Sequence, residues 1–180
     1  RTFFEQCSIL MQSIIKLPQP VIAQIHGTAA AAGCQLVATC DLAIASTTAK
    51  FATPGVNIGL FCSTPMVAVS RKLPRKKMME MLLMGDLVSA ETALEFGLIN
   101  RVVAYEKLEE TVSNYANKIK EKSPLVLKIG KEAFYNQIDM PLAEAYKYTA
   151  EVMTQNMLAQ DANEGINAFI EKRQPTWAGK

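Results

Sequence analysis

The chain has 180 residues, 49% hydrophobic and 20% charged, with Lys and Arg exceeding Asp and Glu by two. Those proportions exclude a disordered or fibrous chain, and at ~150 residues per domain the length allows one compact unit or one with a short appendage. A chain of this size buries about 70% of its unfolded surface, enough for a core without disulfide staples. Four cysteines (Cys7, Cys34, Cys40, Cys62) form no CxxC pair and have a single histidine beside them. The expectation is buried, reduced thiols of an intracellular compartment and no metal site. No apolar run reaches the ~18 residues of a membrane span.

In chain order, Phe3, Phe4, Cys7, Leu10, Met11, Ile14 and Ile15 repeat at helical spacing until Pro18 and Pro20 stop the pattern. That helix starts almost without a cap, and the expectation is a fragment whose preceding portion lies elsewhere. Pro20 to His26 reads as a short strand buried on both faces. Thr28 to Gly33 is a run of small residues that lets two backbones approach, followed by a helix to about Cys40. Leu42–Ser46 is a second buried strand, completing one α/β crossover. Phe51 to Leu60, with Pro54, Gly55 and Gly59, reads as loop. Helices are expected at Thr64–Leu73, Arg75–Met84 and Ser89–Phe96, with Gly97 as a C-cap and Ile99–Ala104 as a last strand. Beyond Tyr105 only helical patterns occur: Leu108–Lys122, Pro124–Asn136, Pro141–Ala159 and Asp161–Lys172. The chain therefore divides into an α/β part, residues 1–104, and a helical layer, residues 105–180, whose apolar faces need a partner.

Charge is distributed unevenly. Residues 1–79 carry a net +6 and residues 80–180 a net −4, and Asp41 is the only acid between Gln6 and Met79. A positive half suits an anionic ligand. The cluster Arg71, Lys72, Arg75, Lys76, Lys77 reads first as a solvated helix start, and with no interleaved aromatics it is not a nucleic-acid stripe. The methionines around Met78 and Met84 read as adaptable core. His26 is expected to be satisfied by nearby backbone. No Ser-centred elbow or Cys partner supplies a triad, and Gly27 to Gly33 matches neither a dinucleotide fingerprint nor a phosphate-binding loop. Asp41, between helix and strand, is expected to cap or pair structurally. The small-residue entry to a helix is the informative feature. Its first N–H groups lack intrahelical acceptors, sit at the positive end of the dipole, and are left open by small side chains. Such groups stabilise an oxyanion.

The ordered series from Lys16-Leu-Pro-Gln-Pro to Gly27 runs on through Ala32-Gly33-Cys34-Gln35-Leu36, Cys40-Asp41, Phe51-Ala-Thr-Pro54, Gly85-Asp86, Gly97-Leu98 and Glu164-Gly165 to Phe169. It resembles the enoyl-CoA hydratase/isomerase (crotonase) superfamily over essentially the whole chain. The resemblance implies an α/β, ClpP-like spiral of ββα units capped by a C-terminal helical oligomerisation layer, with the N-terminal part of the fold outside these residues. It implies an acyl-CoA thioester as ligand, an assembly as homotrimer or hexamer, a mitochondrial location, a role in fatty-acid metabolism, and no metal or redox cofactor. The Ala32 and Gly33 backbone N–H groups would form one side of the oxyanion hole, the other donor coming from the N-terminal segment. Phe169 and Lys172 would reach the CoA of a neighbouring subunit, the aromatic near adenine and the lysine near phosphate. The family's two hydratase glutamates fall at Gln35 and Gly55. A carboxamide has no useful proton-transfer pKa and glycine has no side chain, so ordinary hydration is expected to be lost. Gln35→Glu with Gly55→Glu is expected to raise it. Two other readings stay open: an active family enzyme (hydrolase, decarboxylase or slow hydratase/isomerase), and a non-catalytic assembly partner of related enzymes.

Overall fold

A computed structural model describes residues 2–180, which fall into two units; the first takes in the chain up to Ile15 and Val21–Ala116, the second Lys16–Pro20 and Asn117–Lys180. The first unit opens with helix α1 (Thr2–Lys16), whose Met11 and Ile14 are buried while Phe3, Phe4, Ile9 and Leu10 stay exposed. Strand β1 (Ile22–Ile25) follows, then β2 (Thr28–Ala30), helix α2 (Ala32–Thr39), β3 (Leu42–Ser46) and β4 (Lys50–Ala52).

These elements wind as the ββα spiral expected of the crotonase fold. The first two steps, β1–β2 and β3–β4, each leave one strand in each of two sheets before helices close the turn. β1 pairs in parallel with β3, Ile22 opposite Leu42, while β2 pairs in parallel with β4, Thr28 opposite Lys50. After a 3-10 turn over Pro54–Ile58 come α3 (Ser63–Val69) and α4 (Arg75–Met84). β5 (Val88–Ser89) then adds antiparallel to β4, and after α5 (Ala90–Glu95) β6 (Arg101–Val103) adds parallel to β3. Thr28–Ala30, expected as a small-residue turn, and Phe51–Ala52, expected as loop, thus lie in strands of a second sheet. Three residues are too few for a period of two to show, and alanine disfavours strands; pairing supplies what propensity lacks.

Local chemistry sets the element ends. Ser89 Oγ accepts from Thr92 N–H at 3.1 Å and caps α5. Gly85 and Gly97 end α4 and the α5 turn at φ 67° and 85°, the left-handed region open to glycine. Asn100 Oδ1 takes the Ala43 N–H at 2.7 Å and so ties the entry of β6 to β3. Between the layers, Ile44, Phe51 and Val69 are fully buried with Cys34, Ala45 and Ala90, each large side chain contributing about 1.5–3 kcal/mol.

The second unit consists of the end of α6 (Leu108–Lys120) with α7 (Pro124–Gln137), α8 (Leu142–Met157) and α9 (Gln160–Ile170). Residues 173–180 fold back along α9. The buried Asp161 carboxylate accepts the Ser123 hydroxyl and the N–H groups of Ala178 (2.8 Å) and Gly179 (3.1 Å). Glu164 takes a two-pronged bond from Arg173, at 2.6 and 2.9 Å, and the Thr176 N–H at 2.7 Å. Trp177 lies on Gly165, 3.2 Å from where a Cβ would stand, and donates its Nε1–H to Glu121 O. Among the described residues no helix is long and apolar enough to cross a membrane.

Candidate functional site

The site grows from the β2–α2 junction. Ala31, the residue before α2, sits at φ 49° and ψ −114°, a strained conformation for a residue with a Cβ. Its N–H reaches Ala52 O at the end of β4 (3.0 Å), and its carbonyl takes Gln35 N–H (3.0 Å). The tight entry leaves the N–H groups of Ala32 and Gly33 in the first turn of α2, where no intrahelical acceptor exists. Ala32 is exposed and Gly33 partly so, and the small side chains leave the approach unobstructed. Chemically these are two backbone dipoles at the positive end of the α2 macrodipole.

Gln35 lies two residues beyond Gly33 in α2 and is buried, with 6% of its surface exposed. Its carboxamide offers no proton-transfer group. Gly55, second residue of the 3-10 turn, is buried too. A Cβ at 55 would lie 2.9 Å from Leu60 O, 3.0 Å from Cys62 Sγ and 3.2 Å from Cys62 N. Two of those three atoms are backbone. The Leu60 N–H already bonds Gly55 O at 2.9 Å, and Gly55 N–H donates to Cys62 Sγ at 3.3 Å. The chain has closed over this position, and a glutamate cannot be grafted there without moving the 55–62 turn.

Two thiols stand behind these positions. Cys34 and Cys62 are buried and free. Burial, then the neighbouring Cys62, push the Cys34 thiol up to about 12, against a backbone hydrogen bond from Ala52. Such a thiol is a space-filling group and a poor nucleophile at neutral pH. Thr53, between Ala52 and Gly55, is fully buried, and its hydroxyl has no hydrogen-bond partner within the described residues. Neither Cys62 nor Thr53 stands out in the sequence. Cys62 lies seven residues from Gly55 inside an aperiodic stretch, and nothing in the pattern around Thr53 separates it from an ordinary strand-end threonine.

Asp41 is structural: its Oδ2 accepts Val21 N–H at 2.7 Å, and its own N–H returns to Val21 O at 3.0 Å. The expectation for His26 is corrected. Its ring is exposed rather than satisfied by backbone; its carbonyl is the bonded group, 3.4 Å from Ser46 Oγ. The residue follows the last ladder position of β1. Phe169 and Lys172 belong to the second unit. Phe169 is 85% exposed at the end of α9 and borders an open apolar groove of about 540 Å³ with Ile166, Trp177 and Met157. Lys172, at φ 56°, ends the helix with its N–H on Phe169 O. Among the described residues no group of His, Cys, Asp and Glu is arranged to hold a metal ion.

A family model described as enoyl-CoA hydratase/isomerase matches residues 2–180. The chain belongs to that family. It is 50% identical over 174 residues to the mitochondrial enoyl-CoA hydratase domain-containing protein 3 of Xenopus laevis, covering 97% of this chain and 59% of the relative. The crystal structure of the human protein of the same name superposes with a TM-score of 0.95 at 49% identity, over 97% of this chain and 69% of that one. An enoyl-CoA hydratase structure from Mycobacterium smegmatis gives 0.95 at 47% identity, over 98% and 70%. The chain thus spans about three-fifths of the length of such curated relatives.

Proposed function

We propose that the protein binds an acyl-CoA thioester through the α2 entrance and does not carry out ordinary enoyl-CoA hydration. The observation that carries this reading is the pairing of open N–H groups at Ala32 and Gly33 with the absence of a carboxylate at both Gln35 and Gly55. The first feature polarises a thioester carbonyl. The second leaves no side chain there to deliver water or to move the α-proton. Loss of one such group typically costs about 10²–10⁴ in rate. The closed turn at Gly55 supports the reading further, because the space for the second acid is already filled by Leu60 and Cys62.

In this reading the ligand is bound at a positively charged half of the chain, as a polyanionic CoA requires. Phe169 and Lys172 are assigned to a neighbouring copy's CoA, within a homotrimer or hexamer. The name of the relatives places them in mitochondria, and the same location is proposed here, with a role in fatty-acid metabolism.

The test is to incubate the complete protein with a panel of saturated and enoyl-CoA thioesters, measuring binding by calorimetry and products by mass spectrometry. Saturable binding without mass change is the expected result. Addition of water, loss of CO₂ or release of free CoA overturns the inactive part of the reading and names the chemistry. No binding overturns all of it.

A further inference from the structure

Away from the α2 entrance, the densest positive charge lies where α4 begins. Arg71, Lys72, Arg75, Lys76 and Lys77 fall within seven residues, and no acid follows until Glu80. Three of these cations occupy the first turn of α4, where the helix already presents its positive end and Pro74 offers no side-chain cap. Cations there repel both the dipole and one another, so the arrangement opposes the helix that carries it. Lys77 is engaged, 3.4 Å from Glu80 and 4.8 Å from the centre of the Phe96 ring. The Arg71 guanidinium bonds Val67 O at 2.7 Å. Arg75 and Lys76 are exposed and have no ionic partner within the described residues.

The same side of α4 continues in apolar residues. Met79 and Leu83, at four-residue steps from Arg75, are 46% and 59% exposed. Met78, Met81 and Leu82 fill the opposite side and are buried. A solvated helix face has no physical need of long apolar side chains beside uncompensated cations. That combination fits an interface that is anionic at its surface and apolar just beneath. We propose that this side of α4 docks on an anionic lipid bilayer, Arg75 and Lys76 meeting headgroup phosphates while Met79 and Leu83 enter the boundary layer. Charge complementarity names the occupant. Nucleic acid is disfavoured because no aromatic residue lies between Phe61 and Phe96 to stack a base.

The test uses the folded protein and phosphatidylcholine vesicles, with or without phosphatidylglycerol, in a sedimentation assay. Binding is expected only with the anionic lipid and weakens as salt is raised. Arg75→Glu with Lys76→Glu lowers it about tenfold or more. Met79→Gln with Leu83→Gln, leaving every charge in place, lowers it by a similar factor. All four side chains are solvent-facing, and a thermal melt establishes that each variant is folded; Arg75→Gln with Lys76→Gln substitutes if charge reversal unfolds the helix. Failure of the folded protein to sediment with anionic vesicles overturns the proposal. So does full binding by the Met79/Leu83 variant, which reduces the patch to general attraction for anions.

Discussion

A methyl group is the smallest probe of the site, and three positions answer to it differently. At Gly55 a Cβ meets backbone at 2.9 Å, so Gly55→Ala is expected to lower stability by about 1–3 kcal/mol, read as a fall in the urea midpoint at constant slope. At Ala31 the backbone already pays for a positive φ. A β-branched side chain tolerates that region worst, and Ala31→Val is expected to cost about 2 kcal/mol in the same assay. Thr53 carries the opposite sign. Its sealed hydroxyl has no partner within the described residues, so Thr53→Val, nearly isosteric, is expected to raise stability by ~1 kcal/mol. A fall on Thr53→Val would mean that the hydroxyl is partnered in solution.

Among the elements, the returning segment 173–180 is held by two carboxylates on α9. Hydrogen bonds from Ser123 and from Ala178 and Gly179 hold Asp161 below the ordinary carboxylate range, and the Arg173 guanidinium with the Thr176 N–H holds Glu164 near about 2. Both groups are depressed in the folded state. Their contribution is therefore complete above the unfolded carboxylate values near ~4 and is lost as pH falls toward the folded ones. Trp177, the chain's single tryptophan, sits within this arrangement and reports on it. Its emission is expected to shift to the red as pH drops below ~4. In Glu164→Gln the neutral-pH spectrum moves toward that acid form and the transition flattens. An emission unchanged down to pH ~2 would show that neither carboxylate holds the segment.

At the scale of the whole molecule, a saturating acyl-CoA is expected to protect the fold. At a hundredfold excess over Kd the gain is about 2.7 kcal/mol, roughly 5–10 °C in melting temperature for a chain of this size. Calorimetric scans with and without ligand check this. The architecture behind that stability was largely legible in the amino-acid order. β3 and α4 fall where their patterns place them, residue for residue, and the helices α6 to α9 depart from their patterns by a few residues at most. Those segments are long or strongly periodic, so local pattern and tertiary environment agree. The second sheet was not legible, because β2, β4 and β5 have three, three and two residues and owe their form to one another. The site divides the same way. The start of α2 at Ala32 declares itself through small residues, while Gln35 and Gly55 are singled out only by the family resemblance. The contacts of Gly55 with Leu60 and Cys62 depend on how an aperiodic turn closes on itself, which no spacing rule encodes.

That closure also constrains the protein's future. Exchanging glycine for glutamate requires only one base change in some codons, so by the genetic code an acid at position 55 is a short step away. The fold makes it a long one. Leu60 O and Cys62 occupy the space first, and any lineage acquiring the acid before the turn has moved must pass through a destabilised intermediate. The effects of positions 55, 60 and 62 are coupled through shared contacts and will not add. Order of substitution then decides what is reachable: Cys62 must shrink and the turn relax before a side chain at 55 is tolerated. The turn works as an epistatic ratchet, keeping a side chain out of position 55 until its neighbours have changed.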